Sequence, residues 1–452
     1  MKPLDSIDRR TFIKNSALAG AGLMLATNRA PAAVEQTGRN NAIRVACIGV
    51  GTQGHRLLQA AQNVPGTEIS VICDLYAGNI ARAKELCLNK DVRIVKEWEK
   101  VVADPSIDAV IIAVPDFWHA PITVAAANAK KDIYVEKGWC KTLPEAKQMR
   151  EAVKRNKVVM QLGHHMNSIP QMHKALEIYK SGALGKVPLV RGYIDRTNEH
   201  PEWKFYTDYG IQEMPKDASP ETIDWKRFVA NSPHPDQPFD AERFFTWRRY
   251  WDFGTGIAGD LLTHIWDAIN MVRGMGIPES AVTQGGKYFW KEDREVPDMW
   301  HVLFDYPKQE LAVTFNCSFH NKHVGELIQF LGRDMTMECS SEFCRTYIAD
   351  WKPEAEQRVM QGRRLAAETR KAAEALGIQA PPTAVAPDYV FRPGELKVTS
   401  HMQNFFDCVR SRELPRCHVD RAFEEAVALV MSVESYRREA KVKWDPVKEE
   451  IV

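Results

Sequence analysis

The sequence predicts an α/β Rossmann dinucleotide-binding domain followed by a C-terminal α+β domain with an open, mainly antiparallel sheet, and three observations carry that prediction. The apolar run Ile43-Arg44-Val45-Ala46-Cys47-Ile48 empties directly into Gly49-Val50-Gly51-Thr52-Gln53-Gly54, a full G-x-G-x-x-G. A second apolar run, residues 68–73, ends in Asp74 about twenty residues on, as a dinucleotide-binding unit requires. Strand-like runs at residues 187–193, 282–288, 301–306, 311–319 and 327–331 are joined by turn-rich segments, which indicates a separate antiparallel sheet.

In the first half, Gly49 permits the tight turn, Gly51 lets backbone N–H groups approach a pyrophosphate, and Gly54 lets the following helix pack close to the strand. Thr52 and Gln53 complete the cofactor-facing turn. The Asp74 carboxylate suits both hydroxyls of an adenine ribose and repels a 2′-phosphate, so NAD is favoured over NADP. A helix near 77–88, a strand at 93–95, a helix near 97–103 and a strand at 108–114 continue the alternation, as a doubly wound parallel sheet demands. That last strand exits into Pro115-Asp116-Phe117-Trp118-His119, and the strand at 133–135 exits into Glu136-Lys137-Gly138. Both exits lie at the carboxyl edge, where ligands of such sheets bind. A helix at 143–156 and a strand at 158–162 finish this half.

The N-terminus is not read as fold. Arg9-Arg10 precedes the short apolar run of residues 16–26 and then small residues around Ala30-Pro31-Ala32, which resembles a bacterial twin-arginine export signal. The run is too short for a comfortable bilayer span, so no permanent membrane anchor is expected. The domain reading is therefore a signal at 1–33, a linker at 34–42, a Rossmann domain at 43–165 and a substrate domain at 166–452. An insert at 351–399, a solvated helix followed by an extended Pro-rich connector, interrupts the substrate domain. Two amphipathic helices near 401–412 and 421–440 close the chain.

Composition bounds the function. The 452 residues suit two domains, and 60 Lys and Arg against 59 Asp and Glu leave no basic field for nucleic acid. The nine cysteines are scattered without C-x-x-C spacing and read as buried thiols, not as a disulfide or metal framework. No metal site is expected.

The chemistry falls on Asp260-Leu261-Leu262-Thr263-His264-Ile265-Trp266-Asp267, where Asp260, His264 and Asp267 share one helix face at i, i+4 and i+7. Read alone, that spacing fits a helix N-cap and a core histidine as well as a site. His165, in Gly163-His164-His165-Met166-Asn167, stands near the domain junction as a substrate candidate; adjacent histidines point apart in extended chain and make a poor metal pair. Trp247, Arg248, Tyr250 and Trp251 suit sugar stacking and hydroxyl recognition.

Together the G-x-G-x-x-G, the acid ending the second strand, the V-P-x-x-x-H exit and Glu136-Lys137 resemble the Gfo/Idh/MocA family, from about Ile43 to the C-terminus. The resemblance implies a sugar or polyol dehydrogenase holding NAD, with Pro115, His119, Glu136 and Lys137 beside the cofactor. It implies catalysis by Lys137, Asp260 and His264, substrate contact by Asp260, and a homo-oligomer. His264 is expected to accept the hydroxyl proton, Lys137 to steady the alkoxide and Asp260 to orient substrate or imidazole. The family's usual proline after Glu-Lys is Gly138 here, which leaves the aim of Lys137 less determined. Three functions follow: an exported NAD-dependent oxidoreductase on a sugar, sugar acid or polyol, which must return each hydride it takes; a redox-neutral glycosidase or lyase working through transient C3 oxidation; and a sugar-binding scaffold without catalysis. The twin-arginine machinery would be the export partner, and the location periplasmic.

Overall fold

A computed structural model describes residues 42–204, 206, 213–376, 386–392 and 394–452. The export signal and all of the linker except Ala42 lie outside the described residues, as do residues 377–385 and 393 of the insert.

The first six strands, β1 (Ile43–Ile48), β2 (Thr67–Cys73), β3 (Arg93–Val95), β4 (Ala109–Ile112), β5 (Asp132–Val135) and β6 (Met160–Leu162), form one sheet in the order β3-β2-β1-β4-β5-β6. All their pairings are parallel. Helices cover both faces, so β4 and β5 are buried at every residue, and β4 reads as an unbroken apolar run. Alternate residues serve opposite layers. Val45, Cys47, Ile72 and Ile111 pack with Leu57 and Leu58 of the helix Thr52–Gln62, while Ala46, Ile48, Val110 and Ile112 pack with Ile122 and Met149 on the other side. The helix His401–Ser411, far along the chain, also covers this first sheet through Phe405 and Phe406.

The second sheet has ten strands: β7 (Leu189–Asp195), β8 (Ser280–Gly286), β9 (Met299–Tyr306), β10 (Leu311–Ser318), β11 (Glu326–Leu331), β12 (Met335–Cys339), β13 (Cys344–Ile348), β14 (Tyr389–Val390), β15 (Val442–Asp445) and β16 (Glu450–Ile451). Their order is β14-β13-β12-β11-β7-β10-β9-β8-β15-β16, and only β7 and β10 pair in parallel. Burial alternates along β9 and β10, the signature of one face on the core and one left open. Gly192 of β7 leaves room for Ile265, which seats the helix Thr263–Arg273 on the covered face.

The sequence did not announce β12 to β16, which are short and carry no long apolar run. Part of the expected connector is β14, paired with β13. The helix Glu356–Ala375 of the insert is solvated as expected, with Ala373 its one buried residue. All nine cysteines are free and buried.

The glycine turn gives the fold its test. Gly49 has φ +82°, and a Cβ there would stand 2.5 Å from the Ala113 carbonyl oxygen, whereas a Cβ on Gly51 meets nothing nearer than Asn79 at 3.7 Å. Gly49→Ala is expected to lower stability by about 1–3 kcal/mol. Gly51→Ala should leave the urea midpoint near wild type while weakening dinucleotide binding, which titration calorimetry on the two variants would separate.

Candidate active site

The cofactor end is built by the turn after β1. The helix Thr52–Gln62 starts at Gly51 with extended backbone, no side-chain cap and no acid in its first turn. Its leading N–H groups therefore remain for an anion at the positive end of the helix dipole. Asp74, at the end of β2, accepts hydrogen bonds from the backbone N–H of Val50 (2.7 Å), from that of Tyr76 (2.9 Å) and from the Asn79 amide (3.2 Å). Burial pushes this carboxyl up, and those donors oppose the shift. Gln53 donates to Glu136 Oε1 at 3.0 Å, joining the turn to the exit of β5. These groups fit a dinucleotide: a clear cradle at Gly51, uncapped N–H groups for the phosphates and Asp74 for a ribose.

The chemical end is assembled around Asp260. Lys137 donates its ammonium to the Asp260 carbonyl oxygen at 2.8 Å and also to the Asp260 carboxylate. Arg248 Nε donates to the same carboxylate at 3.1 Å, and Trp203 Nε1 donates to its other oxygen at 2.8 Å. Burial alone would raise this acid, but Lys137, Arg248 and Arg196 outweigh it and hold Asp260 ionised, well below the usual carboxylate range.

Asp260 lies in a π-helical turn, Ala258–Leu262, that runs directly into the α-helix of His264. Such turns are rare and concentrate at functional sites. His264 is partly exposed, while its Nδ1 is buried without a partner among the described residues. Burial, then Lys137, His164 and His165, push its pKa well below the ordinary histidine value, against the pull of Asp260. The ring is neutral at physiological pH and free to take a proton.

Asp267 leaves the stripe that spacing assigned to it. It is buried, and its carboxylate is taken by Asn167, Arg421 (3.0 Å) and the Cys417 thiol (3.6 Å). The same spacing that joins Asp260 to His264 thus serves the core one turn later.

Gly138 has φ +71°, which proline cannot adopt, and a Cβ there would sit 2.7 Å from Asp116 Oδ1. The aim of Lys137 is set by its two bonds to Asp260 rather than by the turn. Gly254 and Gly259 also border Asp116, at 3.5 and 3.2 Å from a built Cβ, so three glycines frame one carboxyl. Asp116 Oδ2 accepts from Thr255 Oγ1 (3.0 Å) and the Thr255 N–H (3.2 Å). Burial pushes Asp116 up to about 6, despite Arg248 and Lys137. Its signal in the sequence was the departure at Gly138. Trp203, held at φ +68°, carried none.

Other candidates divide. Glu136 accepts from Gln53 and from the Lys137 N–H (3.2 Å), so the Lys137 ammonium is left to Asp260. Pro115 precedes the helix Asp116–Asn128 and stays partly exposed. Trp247 is partly exposed too, with the Arg248 guanidinium 4.2 Å over its ring. His165 faces solvent beside His264, ring centroids 5.4 Å apart. His119 is wholly buried within its helix, its ring nitrogens beside the carbonyls of Gly138 (2.9 Å) and Val114 (2.8 Å), where it braces the two strand exits. Tyr250 offers no open face to a sugar: it is wholly buried in an aromatic cluster with Phe253, and its hydroxyl donates to Asp293. Trp251 stacks on Tyr436 and lies under Arg437.

The chain was compared with known proteins. Residues 43–164 match the family model described as "Oxidoreductase family, NAD-binding Rossmann fold", and residues 169–280 and 229–444 match two described as "Oxidoreductase family, C-terminal alpha/beta domain", all three of the Gfo/Idh/MocA set. A scyllo-inositol 2-dehydrogenase (NAD(+)) of Bacillus subtilis is 28% identical over 237 residues, 48% of this chain and 66% of that protein. A glycosyl hydrolase family 109 protein of Shewanella baltica is 24% identical over 213 residues, 41% of this chain and 45% of that protein. The chain thus spans less than two thirds of the curated relatives it matches. A levoglucosan dehydrogenase in complex with NADH and levoglucosan superposes with a TM-score of 0.60 at 19% identity, covering 89% of this chain and 99% of that one. At that identity the likeness shows the fold.

Asp116 gives the site a pH signature. A carboxyl whose pKa rises from 3.8 to about 6 on folding favours the folded state below about pH 4 and loses that contribution as pH rises through about 6. Between about pH 4 and pH 7, Asp116→Asn should therefore gain roughly 3 kcal/mol of stability relative to wild type. Urea midpoints at the two ends of that range measure it, and a constant difference would contradict the assignment.

Proposed function

We propose, on the premise that this chain belongs to the Gfo/Idh/MocA oxidoreductase family, that it is an exported NAD-dependent oxidoreductase acting on a hydroxyl-bearing carbon of a sugar, sugar acid or polyol. One observation carries the reading. Lys137, at the exit of β5 beside the glycine turn, is bonded to Asp260, one turn before His264, so cofactor groups and acid–base groups meet in one place.

NAD, when bound, supplies the hydride acceptor or donor. The residues of the chain handle the proton and the charge. His264, neutral and partly exposed, accepts the hydroxyl proton as the carbon loses hydride. The Lys137 cation steadies the developing alkoxide, and Asp260 fixes the position of that cation while Arg248 and Trp203 fix Asp260. Trp247 and Arg248 offer a partly exposed edge to a sugar ring. The open face of the second sheet, with Val282 and Leu303 each 43% exposed, supports a homo-oligomer.

Export rests on Arg9-Arg10 and the apolar run after it. It favours a cofactor retained through turnover. A second reading, redox-neutral glycoside cleavage, is supported by Asp116: elimination after C3 oxidation needs another proton-handling group, and this carboxyl stands framed by glycines against Gly138 with a pKa of about 6.

The test is to purify the full chain, denature a portion and assay released nicotinamide, and then offer the native protein inositols, free sugars and aryl glycosides without added cofactor. Bound NAD reduced by a free sugar or inositol is the expected result. Aryl release without net reduction would replace it with the glycosidase reading, and a protein that binds no NAD and turns nothing over would leave a sugar-binding scaffold. His264→Asn is expected to retain NAD while kcat falls roughly 10²–10⁴-fold.

A further inference from the structure

Behind His264 lies a second polar layer that the reaction as described does not use. His164 is wholly buried just after β6, and its Nε2 pairs with Glu425 Oε2 at 2.8 Å, each side chain 1% exposed. Glu425 stands in the middle of the helix Val419–Arg438, between Phe423 and the apolar pair Ala426 and Val427, all buried. A carboxylate in such a place costs several kcal/mol unless it is paired. On its other side the His164 ring meets the His264 ring edge-on, with centroids 5.4 Å apart and planes at 78°. Three buried atoms in this small volume find no protein partner among the described residues: His164 Nδ1, His264 Nδ1 and Glu425 Oε1. Unpaired buried polar atoms are costly, and bridging water is their usual remedy.

Resting on the reading of His264 as the proton acceptor, we propose that His164 and Glu425 are positioning residues that fix the tautomer of His264 through one buried water. The water accepts the Nδ1–H of His264 and donates to Nδ1 of His164, whose Nε2–H donates to Glu425. His264 is thereby left with its Nε2 lone pair toward the cleft. When a substrate hydroxyl gives its proton to that nitrogen, the O–H bond breaks, the N–H bond forms and the imidazolium is balanced by Glu425 without a second proton leaving. The other charged groups that face these rings are Lys137, His165 and Asp260 around His264, and Asp267 and Lys137 around His164. Glu425 and Asp267 pull His164 up against its burial, and the 2.8 Å bond to Glu425 is what fixes a proton on its Nε2.

The test uses the full chain labelled with ¹⁵N-histidine, and two-bond ¹H–¹⁵N spectra that tell the two tautomers apart, with signals assigned by His264→Asn and His164→Gln. In the wild type His264 should carry its proton on Nδ1 and His164 on Nε2. Glu425→Gln should let His264 populate both tautomers and move the acid limb of its pH–rate profile to lower pH. It should also reduce kcat roughly 10-fold or more, with KM changed less than about 2-fold. A wild-type His264 protonated on Nε2, or a folded Glu425→Gln protein with unchanged His264 signals and unchanged kcat, overturns the proposal. If Glu425→Gln does not fold, His164→Gln gives the same reading of His264. The spectra decide the matter even if the wild type oxidises no sugar, so failure of the dehydrogenase reading is distinguishable from failure of this one.

Discussion

The bond from Lys137 to Asp260 is the constraint on which the site depends. One partner comes from the exit of a parallel strand and the other from a π-helical turn leading into the helix that packs on the second sheet, so the pair exists only when both halves are folded and docked. Taking two charges out of water is costly, and the arrangement offsets that cost by crowding Asp260 with Lys137, Arg248 and Arg196 and by satisfying its second oxygen from Trp203. Burial, helped by Lys137 and the neighbouring histidines, holds His264 neutral. One ion pair therefore sets the geometry of the groups that would work on a hydroxyl, and its Lys137 adds to the burial that keeps His264 neutral.

Glycine does a different task at each end. At the cofactor end it removes side chains so that backbone can approach an anion, while at the chemical end Gly138, Gly254 and Gly259 make space for the carboxyl of Asp116. A proline after Lys137 would stiffen the turn, but φ +71° and the nearness of Asp116 exclude it here. The glycine leaves room for a buried carboxyl beside the ion pair.

Much of this was legible in the residues. The glycine turn and the strand ends at Asp74 and Glu136 follow from period and spacing, because those features are local, whereas the joint role of Asp260 and His264 came from the family resemblance, since their spacing alone fits a cap and a core histidine as well. What stayed hidden depends on distant contacts. Periodicity placed Asp267 with Asp260, but Arg421 and Asn167 from other segments claim it. Tyr250 and Trp251 look like a sugar platform in one dimension; in three, Asp293 and Tyr436 have already taken them. The return of the helix His401–Ser411 to the first sheet, the role of Trp203 and the burial of Glu425 against His164 likewise have no local mark.

The central claim is that Lys137 and Asp260 act as one unit. A double-mutant cycle on the single-turnover rate of hydride transfer, with Lys137→Met, Asp260→Asn and the pair, measures that directly. The account predicts that the double variant is hardly slower than either single one, a coupling of about 2 kcal/mol or more. Losses that simply add as free energies would contradict it.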